Sequence, residues 1–394
     1  MLVACAGGGP AGLYFSILMK LRDPSHDVTV YERGPAGSTY GWGVTYWAGL
    51  LDKLGAHDPE SALAIRDASV CWSDGVAHVA GRTGLPGSTR HRGDQGFGIG
   101  RRTLLDLLAD RARSLGVRVE YEHGVTEPPA ADLVLACDGV RSTLRGPHEE
   151  RFGTEITTGR NTYIWLGTTK VFDAFTFSFV ETEHGWIWCY GYGYDAGHST
   201  CVIECAPATW AGLGLDTAGE AGTMAVLEKV FADVLDGHPL MGRALWLNFP
   251  TVTNRVWRHG NTVLAGDAAH TTHYSIGAGT TLALEDAMAL AAAVHECPDL
   301  DSAFGRYERE RRAALLPVQS AARYSARWYE SLPRYIGLPP ERMFALLGQR
   351  HSPLLPHLPP GLYYRLDRAA GSMEGLRAFK RWLGPRLARA LHNR

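Results

Sequence analysis

The stretch GDAAHTTHYSIGAGTT, residues 266–281, holds two imidazoles three residues apart, His270 and His273, within a run of glycines and hydroxyl side chains. Two chemistries compete for it. Imidazoles at this spacing can share a metal ion, but such a site needs at least one further ligand, and the only suitable one nearby is Asp267. The glycines offer something different: a row of backbone N–H donors just ahead of the helical pattern LALEDAMALAAAV, suited to an anionic or polar-edged ligand. In the second reading Gly266, Asp267, Gly277, Ala278, Gly279 and Thr280 face that ligand and no metal is bound.

The opening CAGGGPAG carries the spacing G-x-G-x-x-G as Gly7, Gly9 and Gly12. The first glycine turns the chain from strand to helix, the second lets backbone approach a pyrophosphate, and the third lets helix and strand pack closely. Pro10 and Ala11 start the helix whose N-terminus supplies the donors. Glu32 follows Gly12 by twenty residues at the end of VTVYE, with Arg33 next, and an acid there can accept from both ribose hydroxyls. This motif implies a dinucleotide and leaves FAD and NAD both open. Two later segments add to it. DLVLACDGVRSTLR ends a strand on Asp138-Gly139, and NTVLAGDAAH ends another on Gly266-Asp267.

The elements that must position these turns alternate at first: strand LVACA, helix PAGLYFSILMKLR, strand DVTVYE. A helix over 101–116 follows. From about 160 to 206 the chain turns aromatic and β-branched, which predicts consecutive antiparallel strands. The α/β pattern returns near 261, and the last ninety residues are helical and arginine-rich. We expect an α/β fold: a Rossmann-like dinucleotide domain (1–70, 101–155 and 256–300) interrupted by an antiparallel-sheet substrate domain (71–100 and 156–255), then a helical region over 301–394. From residue 305 onward there are 17 Lys and Arg against 6 Asp and Glu. A helix face with i, i+4 pairs to Glu308 and Glu310 accounts for this, and a phosphate-bearing substrate arm is the competing account.

The net charge of −2 gives no argument for nucleic acid or a membrane surface. Seven scattered cysteines without a C-x-x-C pair predict a reducing compartment, and MLVACA reads as a strand rather than a leader, so the expectation is a cytoplasmic protein.

Taken in order, the three turn segments resemble the FAD fingerprints of the class A flavoprotein aromatic hydroxylases, the p-hydroxybenzoate hydroxylase-like family. TYGWGVTYW, YIWLGTTKVFDAFTFSFVETEHGW, STCVIE and GDAAHTTHYSIGAGTTLALEDA look like the salicylyl-CoA 5-hydroxylase and 2-aminobenzoyl-CoA monooxygenase branch, and violacein-type tryptophan hydroxylases share many of these segments. The likeness spans roughly residues 1–330. It implies FAD as cofactor, a glutathione-reductase-type FAD domain, NADH or NADPH as co-substrate, and O₂ activated as a C4a-hydroperoxyflavin. It also places Arg101, from GIGRRTLL, near the flavin.

The substrate it implies is a small aromatic molecule, an aryl-CoA or carrier-bound thioester such as salicylyl-CoA, and the enzyme a monomer or homodimer. A tailoring hydroxylase of an indole or other free arene is the alternative within catalysis, and a flavin-binding protein without turnover the alternative outside it. Trp165, Trp188, Tyr190 and Tyr46 are candidate pocket walls. His273 and Tyr274, on the loop beside the flavin, are candidate catalytic groups that would activate the ring's phenol or amine.

Overall fold

The computed structural model of the chain describes residues 1–81 and 87–371. Leu2–Ala6 lies at the heart of a six-stranded sheet, between parallel strands Asp27–Tyr31 and Leu133–Ala136. A strand covered on both faces has to be apolar throughout, and Val3 to Ala6 are all buried. Arg118–Glu120 extends the sheet past Asp27–Tyr31. Thr262–Leu264 extends it past Leu133–Ala136, and Arg258–His259 folds back antiparallel at that edge. The consequence is positional. Ala6 pairs with Ala136, and Ala136 with Leu264, so turns remote in sequence emerge side by side at one end of the sheet.

Pro10–Arg22 is the helix that follows the first turn. Pro10 opens it, Lys20 and Arg22 complement the dipole of its last turn, and every residue from Pro10 to Met19 is buried. It packs against the helices Arg101–Ser114 and Gly279–Glu296.

The second sheet has nine strands. In order they are Leu240–Met241, Thr154–Thr168, Ser199–Cys205, Gly185–Gly193, Phe175–Thr182, Val70–Ala80, Gly87–Gly100 and Gly43–Trp47, with Leu247–Asn254 also pairing to Thr154–Thr168. One junction departs from the antiparallel expectation: Val70–Ala80 runs parallel to Phe175–Thr182. These two strands are separated in sequence by first-sheet elements, so no short hairpin constrains their direction. Gly43–Trp47, inside the 1–70 segment, also hydrogen-bonds into this second sheet.

Alternation gives the sheet two apolar faces. Ile164, Leu166, Ile187, Cys201 and Ile203 pack on Leu227 and Phe231. The opposite, aromatic face carries Tyr163, Phe177, Phe179, Trp188 and Tyr190, and the C-terminal residues Trp328, Tyr329, Tyr335 and Met343 cover part of it. The helices Leu300–Glu330, Pro333–Ile336, Pro340–Gly348 and Pro360–Gly371 make up the described part of the C-terminal region. Residues 372–394 of that region, and 82–86 of the sheet segment, lie outside the described residues. Arginines of the long helix are engaged within the protein: Arg306 with Glu310 and Glu296, and Arg312 with Glu308.

Arg311 does more. It is 7% exposed, and its Nε donates to Asp286 Oδ1 at 2.7 Å, joining Leu300–Glu330 to Gly279–Glu296. Burial alone would raise the Asp286 carboxyl, but His270 and Arg311 outweigh it and hold it below the usual range. Removing one partner strands a buried charge. The Arg311→Met variant should therefore lose about 3 kcal/mol in urea unfolding. An unchanged midpoint would contradict this assignment.

Candidate active site

The glycines of the first turn are required for different reasons. Gly7 has φ +117°, and a Cβ there would lie 2.4 Å from the Cys137 carbonyl oxygen. A Cβ on Gly12 would meet the Gly7 oxygen at 2.1 Å. Both are fixed by backbone contact. A Cβ on Gly9 would find nothing within 4 Å, yet Gly9 lines a cleft of about 860 Å³ ahead of a helix N-terminus. That open cradle suits a pyrophosphate. Beside it Glu32 accepts from Gly8 N and Gly34 N, each at 2.8 Å, and its carboxylate retains acceptor capacity toward the cleft.

The other two turns complete this end. Asp138 Oδ2 accepts from the Thr143 N–H at 2.6 Å and from its hydroxyl at 2.9 Å, while Oδ1 is buried without a partner among the described residues. A buried orphan acceptor on a cleft wall calls for a ligand hydroxyl. Buried Arg145 donates to Ala268 O at 2.9 Å and Val140 O at 2.6 Å, locking the Asp138 turn to the Asp267 turn. Asp267 is exposed and lines the cleft. Surrounding protein pushes its carboxyl up, opposed by Arg101 and His270. Arg101, held by Thr39 Oγ1 at 3.1 Å, is lowered by burial and partly restored by Asp267. Gly277 adopts φ +62°, with Thr45 Oγ1 only 2.7 Å from where a Cβ would be. These features fit FAD: a cradle, an orphan acceptor and two acids at hydroxyl-binding turns.

The far end of the cleft is aromatic, walled by Tyr163, Phe175, Phe177, Tyr190, Tyr192, Phe249 and Tyr274. Tyr274 lies 4.5 Å from the Tyr163 ring and donates its hydroxyl to Glu204 Oε2 at 2.6 Å. Glu204 is 1% exposed, and its Oε1 accepts from Asn161 Nδ2 at 2.7 Å. Burial pushes its carboxyl up to about 7, against the downward pull of the Tyr274 and Asn161 hydrogen bonds and the nearby Trp188 indole; Glu330 adds to the rise. Arg350 also lines the cleft. It donates to Ser325 Oγ, Leu347 O and Ser275 O, and no carboxylate pairs with it among the described residues.

The cleft brings together Gly7, Gly9, Pro10, Ala11, Glu32, Arg33, Arg101, Asp138, Gly266, Asp267, Gly277, Ala278, Gly279 and Thr280, with Tyr274, Trp165 and Tyr190. Four other candidates are not among its lining residues: Gly12, His273, Trp188 and Tyr46. Gly12 serves packing. Tyr46 faces the core, bonding Ser69 Oγ at 2.6 Å and stacking on Phe97. Trp188 is covered by the Tyr329 ring at 5.7 Å. His273 turns its Nδ1 to Ser275 Oγ at 2.8 Å, and burial with Arg350 pushes it down to about 3. His270 bonds Asp286 Oδ2 at 2.9 Å instead of sharing a ligand with His273. Among the described residues no group of three or more His, Cys, Asp or Glu could hold a metal ion.

Sequence reasoning missed Glu204, Asn161 and Arg350. Glu204 left one signal: it is the lone charge in STCVIEC, a strand buried from end to end.

With this geometry in hand, comparison with known proteins assigns the class. Residues 89–318 match the FAD binding domain family. The chain is 37% identical over 352 residues to a salicyloyl-CoA 5-hydroxylase of Streptomyces sp, covering 85% of this chain and 66% of that protein. It is 35% identical over 353 residues to a 3-hydroxy-4-methyl-anthranilyl-(aryl-carrier protein) 5-monooxygenase of Streptosporangium sibiricum, covering 89% of this chain and 94% of that one. The crystal structure of a 2-methyl-3-hydroxypyridine-5-carboxylic acid oxygenase mutant shares the fold, with a TM-score of 0.69 at 18% identity over 84% of this chain and 92% of that one. The chain belongs to the FAD binding domain family. More narrowly, it is an FAD-dependent monooxygenase of the aromatic-hydroxylase kind.

The raised Glu204 carboxyl has a stability consequence. An acid that holds its proton more tightly when folded destabilises the fold as pH rises from its unfolded value, 4.5, to its folded value, about 7. Across that window the Glu204→Gln variant should gain roughly 3 kcal/mol on the parent, then stay level above it. A pH-independent difference in urea unfolding would contradict the raised carboxyl.

Proposed function

We propose that this chain hydroxylates the ring of an aromatic acid held as a thioester, on coenzyme A or on a carrier protein, consuming NAD(P)H and O₂. The observation that carries the reading is the continuity of the cleft. Its flavin cradle at Gly277–Thr280 runs directly into the aromatic box formed by Tyr163, Phe175, Phe177, Tyr190 and Phe249.

FAD, when bound, supplies electron transfer from NAD(P)H and the activation of O₂. The protein's residues supply the rest. Glu32, Asp138 and Asp267 hold hydroxyls of the cofactor, and Gly9 leaves room for its phosphates. The aromatic walls take the substrate ring by its faces and edges and keep water out. Arg350, charged and without a carboxylate partner among the described residues, favours negative charge on that ring. Tyr40 and Leu245, each 49% exposed, line the same cleft where it meets solvent, which leaves a path for a thioester arm too long for the box.

The thioester preference has further support in the names of the two relatives, one acting on a CoA ester and one on a carrier-bound acid. Free cysteines throughout the chain support a reducing, cytoplasmic setting.

The test is NAD(P)H consumption by the purified flavoprotein with aryl-CoA thioesters and their free acids. Salicyloyl-CoA should exceed free salicylate at least about tenfold in kcat/KM, equivalent to ~1.4 kcal/mol of transition-state stabilisation. Equal rates on the free acid would contradict the thioester preference.

A further inference from the structure

Glu204 is out of place unless its charge is used. The strand Ser199–Cys205 is buried along its whole length, and Glu204 projects from it onto the aromatic face between its cross-strand neighbours Tyr163 and Trp188. If Tyr274 needed only an acceptor for its hydroxyl, a neutral amide would serve without the cost of a buried carboxylate. Both Glu204 oxygens are committed, but unequally. Asn161 Nδ2 can only donate to Oε1, whereas Oε2 meets a hydroxyl whose proton can move. That hydroxyl belongs to Tyr274, which lines the cleft.

We propose that Tyr274 and Glu204 form a proton relay that deprotonates a hydroxyl on the substrate ring. This rests on the aromatic-hydroxylase reading. The ring O–H bond breaks and its proton passes to Tyr274 Oη as the Tyr274 O–H proton passes to Glu204 Oε2. The ring oxygen is left anionic, Tyr274 unchanged, and Glu204 a neutral carboxylic acid. No electron pair leaves the ring, and no oxidant is involved. An anionic oxygen enriches the ring toward electrophilic oxygen, and Arg350 on the same cleft opposes its reprotonation. Tyr274 is the catalytic group, since it touches the ring hydroxyl; Glu204 acts through it.

The pH behaviour follows from the surroundings of Glu204. The titratable groups around it are Tyr274, Tyr163, Tyr190, Tyr329, Cys205 and Glu330. None of these six is a cation, and Glu330 is itself paired with Arg160. A carboxyl in such company binds a proton readily, as a base working near neutrality must. His273 does not compete for the role, since it is absent from the cleft lining and held neutral.

The test uses the FAD-loaded enzyme, its Glu204→Gln and Tyr274→Phe variants, and salicyloyl-CoA as the phenolic probe, without NAD(P)H. Ultraviolet absorbance after a rapid upward pH jump reports the rate at which the bound ring hydroxyl ionises, and turnover with NAD(P)H gives the kcat profile. After the jump the bound phenol should ionise at least about tenfold faster in the parent than in either variant, because both variants lack a member of the relay. The rising limb of kcat near neutrality should vanish in Glu204→Gln. FAD content shows that each variant is folded, and Tyr274→Phe tests the relay independently of Glu204. Equal ionisation rates in all three proteins, with the probe bound, would overturn the relay and leave the hydroxylase reading intact. A probe that neither perturbs the flavin spectrum nor stimulates NAD(P)H oxidation would overturn that reading, and the relay with it.

Discussion

Asp286 sits wholly inside the protein with both oxygens engaged. Oδ2 accepts from Gly266 N and from His270 Nε2, each at 2.9 Å, and Oδ1 accepts from Arg311 at 2.7 Å. One carboxylate thus ties the strand-end turn of the cofactor site to its following helix and to the long C-terminal helix. The turn relies on glycine, since Gly266 adopts φ +57°, a conformation open to glycine and rare for other residues. Buried charges of this kind contribute little net stability but are expensive to leave unpaired, so they fix one arrangement against its competitors. Here the arrangement fixed is the orientation of Asp267 toward the cleft. Arg145, bonded to Ala268 O, holds the same turn from the other side.

From that anchored turn the cleft passes from one sheet to the other. Its polar end is built from strand ends of a parallel sheet, where glycines let backbone approach a charged cofactor. Its apolar end is built from one face of a largely antiparallel sheet, whose aromatic residues stand on alternate positions. Tyr274 belongs to the loop between them, and through Glu204 it reaches into the second sheet. The same loop therefore lines both the polar and the aromatic parts of the cleft.

Much of the cofactor end was legible because its chemistry is local. A turn that must pass Gly7 within 2.4 Å of a neighbouring carbonyl, or open a cradle at Gly9, leaves a glycine at a fixed offset. The substrate end was less legible because it depends on coverage. Trp188 and Tyr190 share a face of one strand, as alternation predicts, but Tyr329 from the C-terminal region caps the first and leaves the second open. Tyr46 illustrates alternation itself: Thr45 and Trp47 line the cleft while Tyr46, between them, faces the core. Glu204 and Arg350 lie 70 and 75 residues from their contacts at Tyr274 and Ser275, and nothing in local spacing announces such pairings.

The most direct test of the account is the origin of the new oxygen. Turnover under heavy-isotope O₂, followed by mass spectrometry of the aromatic product, should place one labelled oxygen on the ring, with none incorporated from labelled water. A ring oxygen drawn from water, or labelled hydrogen peroxide released with no ring product for any aromatic offered, would contradict the claim that this cleft unites flavin and arene for oxygen transfer.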